Sequence, residues 1–331
     1  MTATSDWFLN IMRHGQAYIL YREGFLPAPM KYIRSPRELG LVYTNQQITT
    51  SDSIRLHCYL LRYSDQVEAC ARAAAGTVIM FAGRDNFGKR VKAAREFIRL
   101  RCNVFMLTYR GYGQSEGVPS EAGLCLDAQA AVDFVRGDPE LSEPPLILYG
   151  NSLGGAVAIH CASACTTPTT TPTSTNTPHI QAPVAALILE NTFLSLPLIV
   201  RTHRYLGYLW FLCTEKWDSA RKVARLPAEL PILMLSGEKD EVVPAAHMRE
   251  LWGIAQRRGA GAGADVGRDR FVSFPEGTHS RMYAWPEYWS AITDFLEPVL
   301  NPGPRPPPSP PPSTAVKFGR KRHREFRVVR V

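Results

Sequence analysis

Little in this 331-residue chain points to a metal module, a secreted scaffold or a membrane-spanning helix. Its seven cysteines (Cys58, Cys70, Cys102, Cys125, Cys161, Cys165 and Cys213) are odd in number and widely spread. They form no C-x-x-C pair and have no histidine spacing suited to zinc, so the expectation is reduced, structural thiols with no metal or other cofactor implied. The chain has no basic-then-apolar opening stretch of the secretory type and no N-x-S/T sequon. The longest apolar candidate, Leu206 to Cys213, falls well short of the roughly 18 residues a spanning helix needs. The expected location is cytoplasmic, or peripheral on internal membranes.

A general positive surface is also lacking, although the formal charge is +8. Residues 317–331 hold Lys317, Arg320, Lys321, Arg322, Arg324, Arg327 and Arg330 against Glu325, which places +6 in this tail and leaves +2 for everything else. A near-neutral body argues against nucleic-acid binding by the folded domain and directs any anionic partner, such as an acidic membrane, to the tail.

With 45% hydrophobic and 21% charged residues, the chain is able to bury a full core. From about residue 56 to 298, apolar runs of strand length alternate with helix-like stretches, the rhythm of a mostly parallel sheet covered on both faces. The expected strands are Leu56–Leu61, Thr77–Phe81, Asn103–Thr108, Leu146–Gly150, Ala185–Glu190, Ile232–Ser236 and Arg270–Phe274. Between them, Val91–Leu100, the spacing Leu124, Ala128, Ala131, Val135, and Leu153–Ala164, Ala245–Ile254 and Tyr288–Leu296 read as helices, each with one sheet-facing stripe. The expected organisation is an N-terminal extension over 1–45, an α/β domain over 46–299, and a Pro-rich spacer with basic tail over 300–331. A Thr/Pro-rich insertion at 166–178 cannot pack a core, and 259–267 reads as a Gly/Ala loop. The Leu- and aromatic-rich stretch within 192–226 reads as a small helical cap or lid.

Gly150-Asn151-Ser152-Leu153-Gly154 matches G-x-S-x-G. The pattern alone is weakly specific, but here an apolar strand leads into it and a helix opens from it. That context is what a strained turn needs in order to lift a serine hydroxyl above a sheet. A serine hydroxyl is a poor nucleophile at neutral pH, so it requires a base within reach and a third group to fix the base's tautomer. Asp240 follows Ile232–Ser236 and His279 follows Phe271–Phe274, which gives the order Ser, Asp, His. Glu238 and Glu241 compete with Asp240 for the acid role. The expected oxyanion donors are the backbone N–H of Leu153 and one N–H from the loop Phe81-Ala82-Gly83-Arg84-Asp85-Asn86, with Arg84 the choice for the second. The Arg84 side chain either meets an acidic substrate or simply faces solvent.

At these residues the chain resembles the bud-emergence-type, or α/β-hydrolase-domain-containing, serine hydrolases, from about Thr49 to Leu296. The resemblance rests on Tyr109-Arg110-Gly111-Tyr112-Gly113-Gln114-Ser115-Glu116-Gly117, on Gly150 to Val157, on Leu189-Glu190-Asn191-Thr192-Phe193, on Ser236-Gly237-Glu238-Lys239-Asp240-Glu241-Val242-Val243-Pro244, and on Gly277-Thr278-His279. It implies the α/β-hydrolase fold, the catalytic residues Ser152, Asp240 and His279, and hydrolysis of acyl esters or thioesters near membranes, on lipids or S-acylated proteins. The loop after Phe81 departs from the family's His-Gly-Asn-Ala-Gly and is one residue shorter, so the second oxyanion donor stays open. Phe193, Leu194 and Trp210, together with Leu196, Leu198, Tyr205, Leu209 and Phe211, are candidates for an apolar acyl groove or, alternatively, for cap core.

Trp7, Phe8, Ile11, Met12, Tyr18 and Ile19 line one side of a short amphipathic stretch. Together with the basic tail it either holds the chain on an anionic membrane or packs on the domain while the tail solubilises. Two further functions stay open from the residues: a peptidase of the serine aminopeptidase type, and a catalytically silent scaffold.

Overall fold

The computed structural model describes residues 35–66, 73–83, 90–166, 183–202, 207–258 and 267–302, together with Gly15, Ala17, Leu20 and Tyr21. The Thr/Pro run beyond Thr166, most of the Gly/Ala loop, the amphipathic N-terminal stretch, the basic tail and Arg84 lie outside the described residues. The chain divides into Met1–Asn301 and Pro302–Val331, and the architecture below is that of the first unit.

Eight strands form one sheet: β1 Thr44–Thr49, β2 Arg55–Leu61, β3 Gly76–Phe81, β4 Cys102–Leu107, β5 Leu146–Asn151, β6 Val184–Glu190, β7 Ile232–Gly237 and β8 Arg270–Phe274. Their order is β1-β2-β4-β3-β5-β6-β7-β8. Strand β2 runs antiparallel to both β1 and β4, and the remaining pairs are parallel. This is the expected α/β-hydrolase fold, a mostly parallel sheet with helices on its faces. β3, β4, β5 and β7 are buried along their whole length. A parallel strand covered on both faces has no solvent side, so it reads as an unbroken apolar run.

Seven of the eight strands coincide with expected ones to within a residue or so. The exception is β1, a polar edge strand in which only Ile48 is buried.

The helices are α1 Val91–Arg99, α2 Glu121–Gly137, α3 Pro139–Ser142, α4 Leu153–Thr166, α5 Leu196–Thr202, α6 Ser219–Val223, α7 Ala246–Ala255 and α8 Pro286–Leu300. Helix α4 departs from the one-stripe expectation, because it lies between the sheet and the pair α2 and α6 and is buried almost all round. Its sequence, Leu-Gly-Gly-Ala-Val-Ala-Ile, is apolar in every direction for that reason. Among the described residues, no helix is long and apolar enough to cross a membrane.

Between β6 and β7 the chain forms a small cap of α5, a 3-10 turn Gly207–Leu212 and α6. Tyr21, fully buried, fastens this region from the N-terminal side. Its hydroxyl donates to Glu215 Oε2 at 2.6 Å and accepts from Trp217 Nε1 at 2.8 Å. Trp217 is itself fully buried and takes a left-handed φ of 42°.

The ladder registers bring the carboxyl ends of the parallel strands to one edge. Phe81 pairs with Gly150, Asn151 with Glu190, Glu190 with Leu235, and Gly237 with Phe274. The loops that leave this edge therefore meet, which is where open α/β sheets place their ligands.

Candidate active site

The nucleophile candidate sits on the turn between β5 and α4. Ser152 has φ of 53°, a left-handed backbone that costs a non-glycine residue free energy and persists only where its surroundings enforce it. Three contacts enforce it here. The Ser152 N–H donates to the Glu190 carbonyl at 2.8 Å, while the Ser152 carbonyl accepts from Thr192 Oγ1 at 2.8 Å and from the Gly155 N–H at 2.9 Å.

The motif glycines are fixed by close approach. A Cβ on Gly150 would overlap the Gly154 carbonyl, and one on Gly154 would overlap the carbonyl oxygens of Phe81 and Ala82. Ser152 is 8% exposed, so its hydroxyl lies at the floor of the edge and not on an open surface.

Asp240 follows β7, and its side chain has three partners. Oδ1 accepts the N–H groups of Val242 at 2.8 Å and Val243 at 2.7 Å, and Oδ2 lies 2.8 Å from His279 Nδ1. A carboxylate on Nδ1 places the proton there and leaves Nε2 as the basic nitrogen.

Of the competing acids, Glu238 accepts from Ser273 Oγ and pairs with Arg249, and the Ser273 hydrogen bond first, then Arg249, holds its carboxyl below the usual range. Among the described residues, Glu241 reaches only the backbone N–H of His279, at 3.2 Å. Asp240 is thus the carboxylate on the imidazole.

The base loop is joined to the nucleophile turn through adjacent residues. Asn191 donates from Nδ2 to the carbonyls of Thr278 and His279, both at 3.2 Å, while its neighbour Glu190 holds the Ser152 N–H. Consecutive Cα atoms are about 3.8 Å apart, so the two anchor points share one strand end. Among the described residues, Ser152 Oγ makes no direct hydrogen bond to His279 Nε2. Such contacts are commonly long without substrate and tighten in the Michaelis complex.

Leu153 opens α4, so its N–H is one of those a helix leaves without an intrahelical acceptor. The loop after β3 is described only as far as Gly83 and again from Arg90. Tyr109 Oη donates to the Ala82 carbonyl at 3.0 Å, which fixes that peptide against the start of α4.

At the far end of the loop, Arg90 Nη1 pairs with Glu190 Oε2 at 3.1 Å, beneath the turn and out of solvent. Tyr149 and Tyr288 also donate to Glu190, at 2.5 and 2.8 Å. Burial pushes both phenols well above their usual range, which keeps them as O–H donors.

Phe193 and Leu194 are buried in the core beside this edge, whereas Trp210 on the 3-10 turn is 43% exposed. Tyr208, Phe211 and Leu212 are exposed with it, and the Arg201 guanidinium lies over the Trp210 ring at 6.0 Å. Among the described residues, no group of three or more His, Cys, Asp or Glu side chains is placed to share a metal ion, and the six described cysteines are free thiols.

Sequence reasoning gave no role in the site to Arg90, nor to Glu190, Asn191 and Thr192, which it used only as one block of the family resemblance. The available signal was three polar residues in a row at the end of an otherwise apolar strand, Val184-Ala185-Ala186-Leu187-Ile188-Leu189.

The family described as serine aminopeptidase, S33 (Hydrolase_4) matches residues 42–194. The chain is 34% identical over 292 residues to protein bem46 of Schizosaccharomyces pombe, covering 87% of this chain and 88% of that one. It is 33% identical over 286 residues to the alpha/beta hydrolase domain-containing protein WAV2 of Arabidopsis thaliana, covering 80% and 82%. Among solved structures, the Pyrococcus furiosus esterase Pf2001 matches with a TM-score of 0.59 at 17% identity, covering 80% of this chain and 92% of that chain, a likeness of fold.

Proposed function

This chain belongs to the α/β-hydrolase-domain family that includes bem46 and WAV2, and we propose that it is a serine hydrolase cleaving carboxylic esters or thioesters of acyl chains through an acyl-enzyme on Ser152. The observation that carries this reading is the 2.8 Å Asp240–His279 contact, built on loops anchored beside the residue that holds the strained Ser152 turn.

In this reading, His279 Nε2 takes the hydroxyl proton as Ser152 Oγ attacks the acyl carbonyl. The negative charge passes to the carbonyl oxygen, which the Leu153 N–H and one N–H of the loop holding Arg84 receive. One such donor is worth about 3–4 kcal/mol in the transition state. The tetrahedral adduct then collapses, and His279 gives the proton to the departing alcohol or thiol. Water, deprotonated by His279 in turn, releases the acid and restores Ser152. The acyl chain runs along Trp210 and its exposed neighbours, with Phe193 and Leu194 as the buried floor.

The substrate in this reading is an acyl lipid or an S-acylated protein. The basic tail supplies peripheral contact with an anionic membrane, worth roughly 1 kcal/mol per Lys or Arg near the surface. Salt-sensitive co-sedimentation with anionic liposomes, lost without residues 313–331, tests that contact.

A second reading, aminopeptidase-like amide cleavage, is supported by the family description that matches residues 42–194. The decisive assay treats folded protein with a fluorophosphonate probe and with p-nitrophenyl acyl esters, acyl thioesters and aminoacyl anilides. Labelling and ester or thioester turnover, both abolished in Ser152→Ala, are expected. Preference for anilides favours the peptidase, and absence of labelling in folded protein favours a silent scaffold.

A further inference from the structure

Three consecutive side chains at the end of β6 reach three different parts of the site. Glu190 takes the buried Arg90 at the exit of the loop after β3, and its own carbonyl holds the Ser152 N–H. Thr192 Oγ1 donates to the Ser152 carbonyl. Asn191, between them and 1% exposed, is directed the other way. Its Oδ1 accepts the Gly237 N–H at 2.8 Å, three residues before Asp240, and its Nδ2 donates to the carbonyls of Thr278 and His279.

One amide thus grips the acid turn and the base loop from a residue whose two neighbours grip the nucleophile turn. The backbone of Asn191 takes the left-handed φ of 45°, and its N–H donates to the Leu235 carbonyl at 3.1 Å. Asparagine is among the few non-glycine residues that accept such a φ readily.

The two loops are also tied to each other without Asn191. Lys239 N–H donates to the Gly277 carbonyl at 2.9 Å, Glu238 N–H donates to the Phe274 carbonyl at 3.0 Å, and Asp240 itself meets His279. The acid–base pair therefore holds together internally. What Asn191 adds is a side-chain attachment of that pair to the end of β6, where the adjacent Glu190 and Thr192 hold the backbone of Ser152.

We propose that Asn191 is a positioning residue that sets the separation and angle between the His279 imidazole and the Ser152 hydroxyl, acting through the carbonyls of Thr278 and His279 and the N–H of Gly237. This assignment rests on the acyl-transfer reading above. Misplacement by about 1 Å between reacting groups is able to cost on the order of 100-fold in rate, so the loss falls on the chemical step and not on substrate binding.

The test compares wild type with Asn191→Asp, Asn191→Gly and Thr192→Val. Aspartate keeps the acceptor for Gly237 and tolerates the left-handed φ, but it has no N–H for the two carbonyls. Glycine removes the whole side chain while keeping the backbone conformation accessible. Active sites are titrated with a fluorophosphonate, and kcat, KM and the pH profile of kcat/KM are measured on a p-nitrophenyl ester per titrated site, with thermal melts alongside.

The expected result is a 10- to 100-fold fall in kcat per titrated site for both Asn191 variants, with KM within about threefold of wild type. Slower probe labelling that still reaches completion is expected as well. Thr192→Val, which removes only the hydroxyl on the Ser152 carbonyl, should show a smaller fall of the same kind. If Asn191→Gly fails to fold, Asn191→Asp carries the comparison.

Unchanged kcat per site in folded variants, or a loss that merely tracks the folded fraction, overturns the positioning role. A folded wild type that neither labels nor turns over ester overturns the acyl-transfer reading itself and this assignment with it. An active wild type with unaffected variants overturns the assignment alone.

Discussion

Gly154 lies so close to the carbonyl oxygens of Phe81 and Ala82 that a single added methyl group would overlap both. Because the obstructing atoms are backbone, no rotamer change relieves the clash. Gly154→Ala must push α4 away from the end of β3, and with it the nucleophile turn and the loop expected to donate to the oxyanion. Ordinary overpacking costs about 1–3 kcal/mol, and this substitution should exceed it. The expected outcome is a lower melting temperature or insoluble protein, with probe labelling lost even in any folded fraction.

Asp240→Asn should leave the fold in place and disable the base. Because Oδ1 already accepts two backbone N–H groups, an asparagine must keep its carbonyl there and turn its NH2 toward His279. Nδ1 is then forced to accept, the proton moves to Nε2, and the nitrogen facing the substrate is no longer basic. We expect kcat on an ester to fall by roughly 10³ to 10⁴-fold with little change in melting temperature. Activity within tenfold of wild type would contradict the assignment of the acid.

Acid sensitivity is written into His160 on α4. Burial, with the nearby Lys222 ammonium adding to it, lowers its imidazole to about 4, against 6.5 in an unfolded chain. The unfolded state therefore binds this proton before the folded state does. The stability contribution is fully present above about pH 6.5 and is lost as pH falls toward 4. Burial lowers His57 and His247 in the same direction. Urea midpoints should drop between about pH 7.5 and pH 5, and His160→Gln should shrink that drop. Equal drops in variant and wild type would remove His160 as a contributor.

The Tyr21 hydroxyl satisfies two groups within the cap, Glu215 and the Trp217 indole. Tyr21→Phe keeps the ring but strands a buried N–H on Trp217, a loss of about 1–3 kcal/mol. Chemical denaturation monitored by tryptophan fluorescence should register it, and a change below about 0.5 kcal/mol would show that solvent replaces the hydroxyl.

The parts of this molecule legible in the sequence are those encoded by local pattern. The buried parallel strands show as unbroken apolar runs, and G-x-S-x-G between a strand and a helix marks the turn at Ser152. The chain order of Ser152, Asp240 and His279 needed only strand ends to be located. Strand β1 escaped because Thr44-Asn45-Gln46-Gln47-Ile48-Thr49 lies at a sheet edge and buries only Ile48, so no alternation survives.

The role of Asn191 is invisible for another reason: its partners are 46, 87 and 88 residues away, and nothing in a strand-end asparagine distinguishes a buried clamp from a solvated turn. Glu190 has the same difficulty. A carboxylate ending a strand usually meets water, and its burial follows from Arg90, Tyr149 and Tyr288 converging on it from three separate elements. Phe193 and Leu194, read from their apolarity as candidates for an acyl groove or for cap core, are buried directly after that clamped strand end.

Strand β6 is laced on both flanks, to β5 and to β7, and this has a consequence for the chain that enters it. A slip of one residue would turn every side chain of β6 to the opposite face, so its register is locked independently of what precedes Val184. The ladders on both sides, with one register shift between Val184 and Ala186, thus hold Glu190 and Asn191 on the faces their contacts need.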